Sequence, residues 1–597
     1  MKKNSGKKAI KKDSFNRLLK LFFLENKILT GIMLVSIIVS AIATALAPQY
    51  LGYVTDSVAR DISNPASHGI NWNRVFFWTA VYMAVSVVQF ATKWLSGWFS
   101  AKIISNTAKE LRSRVEQKLW KLPLNYFDTN NHGEIMSRTT NDIDNVVTTL
   151  NSSGSDAIYS IFQLAGMLIM MITKNWVLAL ITIIIIPVSG AAVARISKYT
   201  RKQFRKQWHF TGVINGNIEE SVNGHNIIRL YGQEENVIEE FRKQNQKLYG
   251  ASLRAMIVSN MIQPLSRFFT NLNYVIVALL GALKVISGQM TVGDVQAFIQ
   301  YTRQFQTPFT KLSQAYSNLQ SGIASLDRIY ELLDNEEEVA ERADAKQEYH
   351  LGGKIDFQDV NFSYVPDKKL IEHMNLSVKP GQMVAIVGGT GAGKTTLVNL
   401  IERFYEVNSG KIIFDDQHEI HDFTRKCLRR NIAMVLQDTW VYKGTIEENL
   451  RYGLPEGKNI TEEEFKEACK ATFVDQFVST LPERYQTVIS NEMSSLSAGE
   501  KQLLTICRAF LAKPNILILD EATSSVDTRT EAMIDTALER LREGRTSFVI
   551  AHRLSTIRNA DIILVMENGH IVEQGNHHSL IKQNGAYAKL YKAQFES

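Results

Sequence analysis

The sequence predicts a two-domain membrane protein, an all-α domain of six helical spans followed by an α/β domain built around a phosphate loop. Three observations carry this. Long charge-free apolar runs crowd the first half, while charged residues crowd the second. Residues 388–395 read G-G-T-G-A-G-K-T between an apolar run (383–387) and a stretch with helical character (396–401). Residues 516–521, I-L-I-L-D-E, form a strand-like run that delivers two carboxylates. At 597 residues the chain is too long for one domain, and its mean hydropathy of -0.11 averages two unlike halves.

Residues 1–27 hold nine Lys or Arg against Asp13 and Glu25. Within them, 15–24 has Leu18, Leu19, Phe22 and Phe23 at helical spacing beside Arg17 and Lys20, the pattern of a helix lying on a membrane surface. Run 29–49 is uncharged and long enough to cross a ~30 Å hydrocarbon layer as a helix. Runs 75–92, 157–173 and 175–194 do the same, and 268–283 is a shorter fifth. A sixth span is expected near 292–309, where Asp294, Arg303 and several Gln hide it from hydropathy. Ala43-Thr44-Ala45 has the small-residue look of a cleavage site, but the long apolar run and the further spans favour an uncleaved first span.

Charge orients these spans. The tail and the segments 102–156 and 195–254 are rich in Lys and Arg, whereas the connections near Arg60, Lys174 and Lys284 are poor in them. The positive-inside bias places the basic segments and the second half in the cytoplasm. The net charge of +7 is therefore read as membrane orientation, and no helix-turn-helix, zinc or aromatic-platform pattern argues for nucleic acid. Cys427, Cys469 and Cys507 are widely spaced, which offers no disulfide framework or C-x-x-C pair. Lys93, Arg267, Arg303, Gln89, Gln163, Gln263, Asn271 and Asn273 fall at membrane depth, either lining a polar cavity or, for Lys93 and Arg267, snorkelling. Pro264 is expected to kink the fifth span.

A charged stretch over 331–353 marks the boundary, giving a membrane domain at 1–335, a linker at 336–353 and the second domain at 354–597. In the second domain a strand, a glycine turn and a helix N-terminus make a phosphate cradle from freed backbone N–H groups and the helix dipole. Gly388, Gly389, Thr390, Gly391, Gly393, Lys394, Thr395 and Thr396 are its binding residues. Lys394 reaches the β- and γ-phosphates, and the Thr395 hydroxyl faces Mg²⁺. Asp520 is the second Mg²⁺ candidate, and Glu521 the group that polarises the attacking water. His552 follows a strand-like run and is placed to sense the γ-phosphate. Tyr364, upstream of the loop, could stack on a base, but the residues alone favour a core tyrosine.

With these on the page, Leu496-Ser497-Ala498-Gly499-Glu500 resembles the signature motif of ATP-binding cassette (ABC) proteins. Gln437 resembles their Q-loop, 524–527 (S-S-V-D) their D-loop and Ala551-His552-Arg553 their H-loop. The first half is similar to the six-span exporter domain through L-P-L-N-Y-F-D at 122–128 and T-V-G-D-V-Q-A-F at 291–298. The resemblance covers nearly the whole chain. It implies an exporter-type half-transporter that moves amphipathic small molecules, lipids or peptides across the cell membrane, with ATP and Mg²⁺ at two sites shared between paired chains. It implies that Tyr364 stacks on adenine, that Gln437 joins Thr395 and Asp520 at the metal, and that Ser497 and Gly499 meet the partner's nucleotide. Cytoplasmic loops near 126–137 and 222–231 would relay cassette closure, with the Gln437 region as docking surface.

Two departures stand out. The signature usually reads L-S-G-G-Q, so Ala498 adds a methyl and Glu500 a carboxylate where a phosphate must approach. Asn491 and Met493 sit where relatives often carry Glu and Gly. A heterodimer with one weakened ATP site is expected, against a homodimer that tolerates the variant. An ATP-gated channel or regulator is the competing class, separable by ion current with little hydrolysis.

Overall fold

The computed structural model describes residues 17, 20, 26–63, 69–365, 368–437, 439–454, 460–490, 496–520, 526–551 and 553–595. Glu521, Ser524, Ser525, His552, Asn491, Met493 and most of the 15–24 amphipathic stretch lie outside them. The chain divides into two units, one made of residues up to Trp120 with His132–Asn335, the other of Lys121–Asn131 with Glu336 onward.

The first unit is helical. Its long elements are α1 (Lys27–Ser63), α2 (Trp72–Leu119), α3 (Asn141–Lys174), α4 (Trp176–Asn223), α5 (Glu234–Asn260), α6 (Ile262–Ile286) and α7 (Val292–Leu333). Among the described residues five helical stretches are long and apolar enough to cross a membrane, α5 and α6 counting as one. The expected sixth, α7, is a continuous helix despite its polar residues. Its charges are accommodated by neighbours. Asp294 receives the Lys174 ammonium at 2.7 Å and closes a capping box with Thr291, and the Arg303 guanidinium stacks on Tyr274 at 4.8 Å. Lys93 likewise lies over the Tyr159 ring at 5.4 Å. Pro264 acts as expected, though the break falls three residues earlier, at Met261. A proline ring collides with the carbonyl four residues back, here Asn260, which is where α5 ends.

Small residues let helices approach. A Cβ on Gly293 would come 2.0 Å from the Gly52 carbonyl oxygen, so α7 and α1 meet backbone to backbone. Polar bonds fix the register there: Asp56 accepts from the Thr291 hydroxyl and the Gly293 N–H, both at 2.7 Å. Deeper in, the Tyr301 hydroxyl donates to the Ala45 carbonyl at 2.7 Å.

Among its described residues the second unit holds two principal sheets, one antiparallel and one mostly parallel, and a short strand pair. The antiparallel one has the order β2-β1-β4-β5, from β1 (Ile355–Phe362), β2 (Ile371–Val378), β4 (Ser409–Phe414) and β5 (His418–Glu419). The larger runs β12-β11-β3-β10-β9-β6, from β3 (Met383–Gly388), β6 (Ile432–Val435), β9 (Ile516–Asp520), β10 (Thr546–Ile550), β11 (Ile562–Glu567) and β12 (His570–Gly575). All its pairings are parallel except β11 with β12. A short pair, β7 (Gly444–Thr445) and β8 (Val488–Ile489), stands apart.

The apolar runs seen in sequence are strands buried on both faces. Val384, Ile386, Ile516, Ile518, Phe548 and Ile550 face the core shared with the antiparallel sheet. Their alternates Ala385, Val387, Leu517, Leu519 and Val549 face a second core against the helices, including α9 (Ala498–Ala512) and α10 (Thr528–Arg542). The segment Lys121–Asn131, in sequence part of the membrane half, belongs by its contacts to this unit. Tyr126 is buried, the Tyr405 hydroxyl donates to Asp128, and the Lys121 carbonyl accepts from the Glu338 N–H at 2.8 Å.

Candidate functional site

Parallel pairing sets the site. Strands β3, β9, β10 and β6 run the same way, so their C-terminal ends share one edge of the sheet. The register pairs Ile550 with both Asp520 and Ile386, two residues before the phosphate loop. Gln437 lies two residues past the end of β6, and position 552 two past the end of β10. Ligands of open α/β sheets bind at this edge because side chains and helix N-termini converge there.

The loop after β3 has Gly391 at φ +80° and Gly393 at φ +99°, a backbone region that side-chain-bearing residues rarely adopt. Gly393 caps α8 (Lys394–Ile401), whose first N–H groups open toward the loop. The Lys394 ammonium folds back on the loop, donating to the carbonyls of Gly388 at 2.7 Å and Gly389 at 3.1 Å. Burial pulls its pKa below the ordinary lysine value, and the neighbouring Asp520 carboxylate opposes that shift. Lys394 and Asp520, 126 positions apart, are thus within electrostatic reach.

Tyr364 keeps 40% of its surface exposed. Its ring packs edge-on against Phe362 and Tyr405, and its hydroxyl donates to Thr396 Oγ1 at 3.1 Å. It is therefore a surface ring beside the phosphate loop rather than a core tyrosine. Gln437 is exposed. Arg553, next to the undescribed His552, is held by Glu531 at 2.7 Å and by Asp535. Asp527 caps α10 by accepting from the N–H groups of Arg529 and Thr530.

Ser497 to Glu500 start α9, and the Glu500 carboxylate is engaged by the helix start itself. Glu500 turns back and accepts the Ser497 N–H at 2.7 Å, while the Ser497 hydroxyl lies 2.9 Å from the same oxygen. The Glu500 N–H donates to that hydroxyl in return, which completes a capping box. Gly499 is buried, and a Cβ there would meet Thr530 Cγ2 at 2.5 Å, so its smallness serves the contact between α9 and α10. Ala498 and Ser497 are exposed, and the methyl stands on the open end of the helix.

One supporting residue escaped the sequence reading. Gly569, at φ +83° in the turn between β11 and β12, donates its N–H to the Ala392 carbonyl at 3.0 Å and so braces the phosphate loop. Its Cβ would fall 1.2 Å from the Leu370 carbonyl oxygen. The Asn568-Gly569 pair between two strand-like runs was the signal that marked this hairpin.

Residues 30–309 match the ABC transporter transmembrane region, and residues 371–524 match the family described as ABC transporter. The chain belongs to the ABC transporter family. It is 45% identical, over 86% of its own length and 81% of the other protein's, to a fatty acid ABC transporter ATP-binding/permease protein of Mycobacterium tuberculosis. It is 35% identical to an ATP-dependent lipid A-core flippase of Syntrophus aciditrophicus, over 82% and 80% of the two chains. It is also 33% identical to a putative multidrug export ATP-binding/permease protein of Bacillus subtilis, over 94% and 96%. As an exporter-type half-transporter of this family, the chain is a membrane protein that binds ATP and couples its hydrolysis to transport as one half of a dimer.

Proposed function

We propose that this chain exports amphipathic small molecules or lipids across the cytoplasmic membrane by alternating access, with its nucleotide-binding unit on the cytoplasmic side. The observation that carries this reading is the meeting of Lys394 and Asp520 at one edge of a parallel sheet, in a chain whose other unit is built of membrane-length helices. Relatives named for fatty acids, lipid A-core and multidrug export support an amphipathic cargo.

In this reading the backbone N–H groups of 388–396 cradle the phosphates, Lys394 leaves the loop carbonyls for the γ-phosphate, and the exposed Tyr364 ring stacks on adenine. Glu521 accepts a proton from the water that attacks the γ-phosphorus. His552 orients the γ-phosphate. The donor set of Thr395 hydroxyl, Gln437 amide and Asp520 carboxylate is all hard oxygen, which suits Mg²⁺. The ion would supply charge neutralisation at the β- and γ-oxygens.

The partner is a second half-transporter. Exposed apolar residues around the helix His225–Leu230, with Ile227 64% and Leu230 77% open, fit a surface made for another chain. Ala498, on the exposed head of α9, favours a non-identical partner whose own signature serves this chain's catalytic site.

Co-purification from membranes with ATPase assayed for Glu521→Gln tests both points. Turnover near zero with ATP binding retained is expected, alongside a second half-transporter at equal stoichiometry. Retained turnover would move the chemistry to the partner's carboxylate, and a pure homodimer would reject the two-chain reading.

A further inference from the structure

Residues 176–194 of α4 carry no charge, and at 1.5 Å per residue they cover about 28 Å, close to the ~30 Å thickness of a hydrocarbon layer. The helix then continues through Arg195, Lys198, Arg201, Lys202, Arg205 and Lys206. Six cations therefore extend from the edge of the hydrocarbon to about 18 Å beyond it. No Asp or Glu occurs over 176–218, nor over 241–286, which holds most of α5 and all of α6, both packed against α4. Among the described residues none of the six cations forms an ion pair.

These charges are not spread evenly around the helix. Arg195, Lys198, Lys202, Arg205 and Lys206 share one face with Tyr199 and line an open concavity of about 860 Å³, while Arg201 stands outside it. All of that face is exposed, Tyr199 by 51%. Lys198 with Lys202, and Lys202 with Lys206, are like charges four residues apart, which weaken a helix unless an anion stands between them. Orienting a span requires basic residues but not their gathering on one face around a tyrosine. Helical side chains lean toward the N-terminus, here toward the membrane. The Lys202 ammonium thus reaches back toward the headgroup layer beside Arg195 and Lys198, and Tyr199 sits at the depth of an aromatic belt. Ile184 and Val188, eleven and seven residues before Arg195, continue the same face into the hydrocarbon as an exposed apolar strip.

We propose that this face of α4 binds the headgroup of an anionic phospholipid in the leaflet from which the basic extension emerges. Arg195, Lys198 and Lys202 surround the phosphate oxygens, the Tyr199 hydroxyl donates to one of them, and an acyl chain runs along Val188 and Ile184. The assignment needs α4 to cross the membrane and does not presuppose export. A zwitterionic headgroup carries its own cation and leaves the face uncompensated, so an anionic one is selected. A free phosphate would use the basic part of the face and leave the apolar strip bare, which favours the lipid as source. The bound phosphate fixes the depth at which α4 leaves the bilayer.

The test is equilibrium binding of tritiated dioleoylphosphatidylglycerol to the full chain with its co-purified partner in a neutral detergent. Each basic residue beside an anionic headgroup contributes about fivefold, so Lys198→Gln with Lys202→Gln should weaken binding roughly thirtyfold. Arg201→Gln with Lys247→Gln removes the same charge from the same basic segment but off the face, and should stay within about threefold of the unaltered protein. Unlabelled phosphatidylglycerol should displace the probe, whereas dioleoylphosphatidylcholine and glycerol 1-phosphate should not. Neither pair of substitutions should release the partner subunit. Equal weakening by the two pairs would reduce the face to general charge and overturn the assignment. Displacement by phosphatidylcholine or by glycerol 1-phosphate as strong as by phosphatidylglycerol would overturn it too, the latter leaving a site for free anions. Loss of the partner from the Lys198→Gln, Lys202→Gln protein would make the face a contact between chains and equally reject the lipid.

Discussion

Glu402 closes the C-terminal end of α8, the helix that begins in the phosphate loop, and it is 6% exposed. Its Oε2 has no hydrogen-bond partner. The cation acting on it, Arg429, donates instead to the backbone carbonyls of Glu402 and Arg403, both at 3.1 Å, and lies over the Phe404 ring. Burial, with only partial relief from the Arg429 charge, pushes the Glu402 carboxyl from 4.5 up to about 7. The negative end of the helix dipole acts in the same direction. A carboxyl whose pKa is higher folded than unfolded is stabilising while protonated, and that stability is lost as pH rises from the unfolded to the folded value. At ~1.4 kcal/mol per pKa unit, the full loss is roughly 3 kcal/mol, with about 2 gone by pH 6 and the rest by pH 8. Glu402→Gln removes the titration, although its unpaired amide N–H returns about 1 kcal/mol. The net gain at pH 8 is about 2 kcal/mol, or roughly 4–8 °C for a unit of this size. The three cysteines, Cys427, Cys469 and Cys507, are all buried in the same unit, so a thiol-reactive dye reports its melting directly. The unaltered protein should melt lower at pH 8 than at pH 6 by a margin that Glu402→Gln reduces. Identical pH slopes in the two proteins, or a variant less stable at pH 8, would refute the reasoning.

Two further outcomes follow from packing and capping. Glu500→Ala should speed hydrogen exchange at the Gly499 and Lys501 amides about fivefold, the effect of losing ~1 kcal/mol of cap. Glu500→Gln, which keeps an acceptor for the Ser497 N–H, should stay within about twofold; equal fraying in both variants would reject the capping box. Gly293→Ala forces α7 away from α1 and should cost about 1–3 kcal/mol in melting of the membrane unit. Gly97→Ala, where a Cβ meets nothing within 4 Å, is the control and should melt no lower, since Ala is the better helix former.

Much of the site was legible because its chemistry is contiguous. The phosphate loop, the Asp520 strand and the capping pattern Ser497-x-x-Glu500 each fit within one turn or one strand, where local spacing fixes geometry. The capping pattern was visible but was read as a phosphate contact, since a linear string does not say which way a carboxylate turns. The residues around Tyr364 favoured a core tyrosine for a similar reason: a tyrosine after a strand is buried or exposed according to what packs on it.

Composition and periodicity by themselves determined the division into a membrane half and a nucleotide half, five of the spans, and strands buried on both faces, because burial and hydrogen-bond satisfaction act residue by residue along an element. Tertiary structure decided the rest. It made α7 tolerable by bringing Lys174 to Asp294, and it gave Lys121–Asn131 to the nucleotide unit through Tyr126 and Asp128. Each of these depends on residues far apart in the chain, and their proximity is set only when the helices and sheets pack.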